Sequence, residues 1–484
     1  MFNRLIGMAI EHRVLVLAAF LTATILSVMQ ASKLSLDAFP DVTNIQVAVN
    51  TQAPGLGAEE VEKLITYPIE SVMYALPDVE QVRSISKTGL SGITVVFKEG
   101  VDIYFARQLV FERLQEAKSL IPRDIGTPQM GPNTSGLGQV FQYVLKTSPG
   151  AEVDLMTLRS LNDWLVKRLL MPVDGVTDVL SFGGQVKQYQ VLLDTEKLLA
   201  YGIAQSQVME ALSDNNQNAG GWYLPRSAEQ VSIRGSGWFK SDQEGLAEIA
   251  NVAVKVQSGT VVTIADLATV TLGPEIRQGA VTLSSKSEEG IVTQHGEVIS
   301  GIILKRMGAN TSATIASVSA LIPSINKALP DGVTVEPIYN QSNLVNAAVM
   351  TITQALLSAF VMIFFVLWLF MLDITVTVLV LLAIPISIAV ALMMLNVFGI
   401  SANLMSLGGL AVAIGLLVDG SVVMVERLFH QAKQGKGNDI QRLKLGAQQV
   451  AKPILFATSI IITVFLPLFS FEGVEAKLFE PMAV

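Results

Sequence analysis

Residues 403–426 read NLMSLGGLAVAIGLLVDGSVVMVE, a stretch with no charge before Asp419 and none between Asp419 and Glu426. As a helix it would be roughly 35 Å long, enough to cross the hydrocarbon core of a bilayer. Small residues recur at helical spacing, Gly409 with Ala413 and Ala411 with Gly415, and Gly420 follows Asp419. Side chains this small let a neighbouring helix backbone approach, which in lipid is a main source of packing energy. An ionised Asp at membrane depth costs at least ~2.5 kcal/mol, so Asp419 is expected to face a bundle interior and to mark an ion or proton path. Burial there would raise its affinity for a proton. Glu426, two turns or about 10.5 Å further on the same face, is the second candidate for a proton relay. The bland alternative is an Asp paired for stability with a neighbouring cation, but no Lys or Arg lies deep enough in these helices.

The depletion of charge extends outward from this stretch. From Asn346 to Val418 the only ionisable residue is Asp373, and breaks at Leu372-Asp373 and Phe398-Gly399 divide the run into helices at about 346–371, 374–397 and 403–430. Two more uncharged runs of 19 residues, 14–32 and 453–471, bring the expected crossings to five. Residues 14–32 are too long for a signal-peptide core and lack a clean small-x-small site, so they read as an uncleaved anchor. Arg4 and Arg13 precede the first helix, and Arg427, Lys433, Lys436, Arg442, Lys444 and Lys452 follow the fourth. Both clusters are therefore expected in the cytoplasm, and residues 33–345, with 24 basic and 33 acidic residues, outside it.

Composition agrees with that division. The 484 residues are 51% hydrophobic and 15% charged, with mean hydropathy +0.50 and net charge −8; soluble proteins carry about 25% charged residues, so a purely soluble enzyme is excluded. With no Cys, the chain has no disulfide framework, Cys-ligated zinc, iron–sulfur cluster or thiol nucleophile. His12, His295 and His430 are scattered, which argues against a His-built metal site. No phosphate-binding loop motif occurs, so ATP is not the expected energy source, and neither a cofactor nor a nucleic-acid partner is expected. Met405 and Met424 offer soft sulfur suited to monovalent copper or silver, although Met also fills apolar gaps as an ordinary core residue.

Residues 33–345 contain a repeat. IQVAVNT at 45–51 alternates as a strand, 59–76 has helical apolar spacing, strands follow at 79–86 and 92–98, and a helix at 103–120 closes at Pro122. QVFQYVLKT at 139–147 restarts the series through Pro149-Gly150 and a helix at 154–170. Its closing half, a strand at 298–306 and a helix at 312–328 ended by Pro330, lies far downstream. The segment therefore reads as two split βαβ units, the second interrupted by an insert at 182–273. Within the insert, a strand is expected at 187–193 and a helix at 205–213, and Asp214–Gly221 (DNNQNAGG) as a projecting loop or arm, since such residues cannot form a core.

At this point the chain resembles a known family. FPDVTNIQVAVNTQAPGLGAEEVEKLITYPIE at 39–70, D-x-E-K-L-x-x-Y-G-I at 194–203 with N-N-x-N-x-G-G at 215–221, Tyr339 to Ser342, and the 403–426 stretch resemble the N-terminal half of resistance-nodulation-division exporters of the heavy-metal efflux branch. The resemblance implies a membrane α-helical bundle, here five helices, with a periplasmic α+β region. In that layout 1–32 would hold the first helix, 33–130 a first porter subdomain, and 131–181 with 274–338 a second. Residues 182–273 would be a docking subdomain, and 339–484 helices two to five, ending where the sixth should start.

The resemblance also implies a proton antiporter of the bacterial inner membrane, a homotrimer working with a periplasmic adaptor and an outer-membrane channel. Protons would be the coupling ion and a metal cation the cargo. Asp419 and Glu426 match the family's helix-four carboxylates, and Asn215, Asn216, Asn218, Gly220 and Gly221 its subunit-docking arm. Two positions depart from the branch: Ala413 stands where zinc, cobalt and cadmium exporters carry a first Asp, and Leu417 where copper and silver exporters carry a Met. The metal is left open by them, with a divalent cation favoured. Family chains run to about twice this length, so the expectation is a fragment that does not transport alone. Export of organic compounds and a non-transporting assembly role are the alternatives.

Overall fold

The structure is a computed structural model describing residues 2–31, 34–122, 125–148, 150–151, 153–257, 259–277, 279–287, 289–433 and 439–484; Lys33, Pro149 and Lys436, used above as charge and turn markers, lie outside these.

Strand Gln46–Gln52 turns Val47 and Val49 fully inward, and a helical run over 58–73 follows, with a π turn at Glu62–Thr66. Strands Val79–Lys87 and Leu90–Phe97 pair through a two-residue turn. Helix Ile103–Leu120 begins at Asp102, whose carboxylate accepts the Phe105 N–H at 2.9 Å, and stops before Pro122. A short strand, Gln129–Met130, completes an antiparallel sheet whose spatial order is second, third, first, fourth. Ile65 and Ile69 of the first helical run and Val110 and Leu114 of the second pack on Val49, Val95 and Phe97 in one core.

The second sheet has the same order, built from Thr134–Thr147, Val176–Phe182, Ile299–Arg306 and Val333–Asn340. Its helices, 155–170 and Thr311–Ala328, start at Asp154 and Asn310, each of which caps a backbone N–H. Inside, the Tyr143 hydroxyl donates to Asn162 Oδ1 and Asn162 Nδ2 to Ser181 Oγ, both at 2.8 Å. Burial pushes the Tyr143 hydroxyl's pKa up.

Between the second and third strands of this sheet the chain pairs Lys187–Leu193 with Ala268–Pro274 and Ala253–Gln257 with Thr260–Thr263, around a core of Ile203, Val208, Ile264 and Leu267, and Thr282–Lys286 with Val292–Glu297, all antiparallel. From that core projects a hairpin, Ala219–Arg226 with Glu229–Gly235, exposed along its whole length. The projecting element is thus a two-stranded ribbon and not a loop. Asp214–Gly221 forms its stem: Asn216 Oδ1 accepts the Phe239 N–H at 3.2 Å and Asn218 Oδ1 the Gly237 N–H at 3.1 Å. Asn215 donates back to Ala211 O at 2.8 Å. Gly221 lets the strands close, since a Cβ there would stand 2.5 Å from Ile233 O, whereas Gly220 meets nothing within 4 Å.

Among the described residues, four helices are long and apolar enough to cross a membrane, within Gln341–Phe370, Ile374–Val397, Leu404–Ala432 and Ile440–Ser470. The first of the five expected crossings corresponds to helix Arg13–Ala31, whose described apolar stretch is Arg13–Ser27. It packs on the second apolar helix, with Asn396 Nδ2 donating to Gln30 Oε1 at 3.0 Å. Leu372 adopts a left-handed conformation that ends Gln341–Met371, and Asp373 then accepts the Thr375 N–H at 2.9 Å, starting Ile374–Val397. The lone charge of that run is therefore a helix cap. A further helix, Gly473–Ala483, is already under way before the point where the sixth was expected.

Candidate functional site

Leu404–Lys433 is the helix that carries Asp419. Its first turn is fixed by Asn403, whose Oδ1 accepts the Met405 and Ser406 N–H groups at 2.9 and 3.1 Å, while Ser406 Oγ accepts the Asn403 N–H at 2.9 Å. This reciprocal cap satisfies donors that would otherwise be orphaned in an apolar setting. Ile414 and Val418 face Val380, Leu381 and Ile384 of the preceding helix and Leu367 of the one before it, which fixes the rotation of the Asp419 helix.

That rotation turns Asp419 into a groove of about 1150 Å³ between this helix, Ile374–Val397, Asp439–Phe465 and Gly473–Ala483. Among the described residues that line it, Asp419 is the one ionisable group; Ser406, Ser421 and Thr458 add hydroxyls, and the rest is largely apolar. Asp419 is exposed in this chain, where the groove is open along one side. Its carboxylate has no hydrogen bond or ion pair among the described residues.

Glu426 is also exposed and does not line the groove, which reaches Val425. The two carboxylates thus share a helix without being brought into one cavity. Beside Glu426, Arg427 donates to Gln449 Oε1 from the next helix, at 3.1 Å through Nε.

The small residues divide in two. A Cβ on Gly409 would meet Met482 O at 2.6 Å, and one on Gly420 would meet Ile454 Cγ2 at 3.4 Å, so both seat neighbouring helices. Gly415 meets nothing within 4 Å and does not line the groove, whereas Ala413 lines it. Met424 lines the groove with Met394 and Met482, but Met405 does not, so the two candidate sulfur donors are not brought together. No cluster of three or more His, Asp or Glu suited to a metal occurs among the described residues.

The family model described as the AcrB/AcrD/AcrF family matches residues 5–484. The chain belongs to that family. Relatives of the AcrB/AcrD/AcrF kind include the cobalt-zinc-cadmium resistance protein CzcA of Cupriavidus metallidurans, 38% identical over all of this chain and 45% of CzcA. The cation efflux system protein CusA of Escherichia coli is 32% identical over all of this chain and 46% of CusA. A solved heavy metal efflux pump superposes with a TM-score of 0.86 at 33% identity, over 99% of this chain and 46% of the pump. The resemblance to heavy-metal efflux proteins is thereby borne out. The chain spans about half the length of the curated relatives it matches.

Within this AcrB/AcrD/AcrF chain four polar residues have capping or pairing roles that the sequence analysis did not assign: Asp373, there only a break marker, Asn403, and the pair Asp37 and Lys305. The first two had a readable signal, a lone Asp or Asn immediately before an apolar run. The last two are far apart in sequence and carry none.

Proposed function

We propose that the chain supplies the N-terminal half of a proton-driven exporter of heavy-metal cations, with Asp419 as the group that takes up and releases the proton. The observation that carries this reading is that Asp419 is the one ionisable side chain, among the described lining residues, of a groove three of whose four helical walls are long enough to span a bilayer. A carboxylate in such a setting costs too much to be kept for packing alone. CzcA is named for cobalt, zinc and cadmium and CusA for cation efflux; a metal cation is accordingly the cargo we assign.

Helix Arg13–Ala31 serves as a further crossing, and residues 33–345 lie in the periplasm, with the chain in a bacterial inner membrane. Consistent with both basic clusters lying at one end of the bundle, Lys444 pairs with Glu11 at 2.7 Å. At the other end, Ser35 and Ala402 hydrogen-bond beside the sheets. The two sheets act as porter subdomains, and the insert as a docking subdomain whose hairpin reaches the next subunit of a homotrimer. An adaptor and an outer-membrane channel complete the path.

The test is Asp419→Asn in the full-length exporter, scored as growth on zinc, cobalt, cadmium, copper and silver salts. Loss of resistance at unchanged expression is expected. Retained resistance would reject Asp419 as the coupling group.

A further inference from the structure

Residues 34–44, LSLDAFPDVTN, run from the anchor helix to the first sheet and are held by every part of the molecule they pass. On the membrane side they pair with the connection leading into the Asp419 helix: Ala402 N–H donates to Ser35 O at 2.8 Å, Asp37 N–H to Ala402 O at 3.1 Å, and Leu404 N–H to Ala38 O at 3.3 Å. Ala38, Ala402 and Asn403 are buried there.

On the side of the second sheet, Asp37 Oδ1 accepts from the Thr311 hydroxyl and lies 3.8 Å from Lys305 Nζ. Lys305 is the penultimate residue of the third strand and Thr311 opens the helix after it, so the Asp37 carboxylate closes the turn between them. Lys305 is 8% and Thr311 1% exposed, and Lys305 Nζ also donates to Ala309 O at 2.9 Å. A cation this buried depends on its partner, because losing one member leaves the other uncompensated.

The equivalent turn of the first sheet is gripped as well. Glu99 lies 3.2 Å from Lys477 Nζ of helix Gly473–Ala483, and the same amine donates to Thr43 O at 2.9 Å. Thr43 Oγ1 in turn accepts the Gly136 N–H, from the second sheet, at 3.0 Å. The same strand-to-helix turn of both repeats is thus tied to the membrane side through one short segment.

We propose that residues 34–44 form a strap that transmits change at the start of the Asp419 helix to the second sheet, with Asp37 as its positioning residue, clasped by Lys305 and Thr311. The strap rests on the reading of Asp419 as the proton-carrying group. A chain of backbone hydrogen bonds ending in a largely buried ion pair couples its ends, so displacement of Ala402 moves Asp37, and with it the 305–311 turn. Coupling of this kind is established by an energetic cycle and not by proximity.

The experiment is amide hydrogen exchange on the whole chain in lipid nanodiscs, comparing wild type, Asp419→Asn, Asp37→Asn and the double variant. Asp419→Asn should change exchange across residues 305–311 by about threefold or more, and Asp37→Asn should abolish that response. Asp37→Glu, which keeps the carboxylate, should restore it, and Thr311→Val should weaken it from the opposite side of the clasp. Protection of 134–147 and 299–306 should survive in every variant. The proposal is overturned if the response to Asp419→Asn persists at full size without the Asp37 carboxylate, if no response reaches 305–311 in the otherwise unaltered chain, or if Asp37→Asn unfolds the second sheet. Growth on metal salts judges the proton-site reading separately, so either idea can fail alone.

Discussion

Gly409 on the Asp419 helix lies against Met482: a Cβ at this glycine would stand 2.6 Å from the Met482 carbonyl oxygen and 2.9 Å from its Cγ. Backbone on one side leaves no flexible group to yield. Gly409→Val should therefore displace helix Gly473–Ala483 at a cost of about 1–3 kcal/mol. Because the chain has no native Cys, a single Met482→Cys reporter can be labelled without background. Its labelling should rise several-fold in Gly409→Val and stay unchanged in Gly415→Ala, where nothing lies within 4 Å.

Tyr143 gives a second close fit. Its ring would be 2.0 Å from a Cβ on Gly301 in the neighbouring strand, and its hydroxyl donates to buried Asn162. Gly301→Ala should destabilise the second sheet by about 1–3 kcal/mol through overpacking. Tyr143→Phe should cost about 1–3 kcal/mol by leaving Asn162 Oδ1 without its donor. Both should appear as lower urea midpoints for loss of protection at 134–147, and an unchanged midpoint in either variant would refute the packing argument.

In the insert, the Thr263 backbone N–H and then its hydroxyl hold the Asp266 carboxyl below the ordinary carboxylate range. A carboxyl whose folded pKa is depressed stabilises the fold above its unfolded value, near pH 4, and that contribution is lost as pH falls through the folded value. Amide protection of residues 264–267 should accordingly fall on acidification below about pH 4 in wild type. In Asp266→Asn the acid-dependent part should be absent. An identical acid response in the two proteins would exclude Asp266 as its source.

Asn403 offers a test of the cap on the Asp419 helix. Asn403→Ala removes the acceptor of two N–H groups and should cost about 1 kcal/mol locally. Exchange at Met405 and Ser406 should quicken by roughly fivefold, with protection near Asp419 retained.

Much of the fold is legible in the sequence, for reasons that individual elements make plain. The helix Ile103–Leu120 has Asp102 before it and Pro122 after it, and strand Gln46–Gln52 alternates cleanly, so local chemistry fixes their limits. The hairpin arm escaped because both its faces are exposed: without a buried side, Ala219–Arg226 has no reason to alternate. For the site, Asp419 stood out because charge is otherwise missing around it. Its separation from Glu426 could not be read, since helical phase gives the face of a residue and not where a groove ends. Nor could the clasp of Asp37 by Lys305, which is purely tertiary.

The two sheets share one strand order but differ in how their second and third strands are joined. Phe182 and Ser300 are paired neighbours in the second sheet, although the whole arm-bearing insert lies between them in the chain. In the first sheet the corresponding strands are joined by a turn of two residues between Lys87 and Leu90. The insert therefore enters and leaves at a single doorway that an ordinary hairpin turn can close. The insert can therefore differ in length or shape without altering the register of the sheet that bears it.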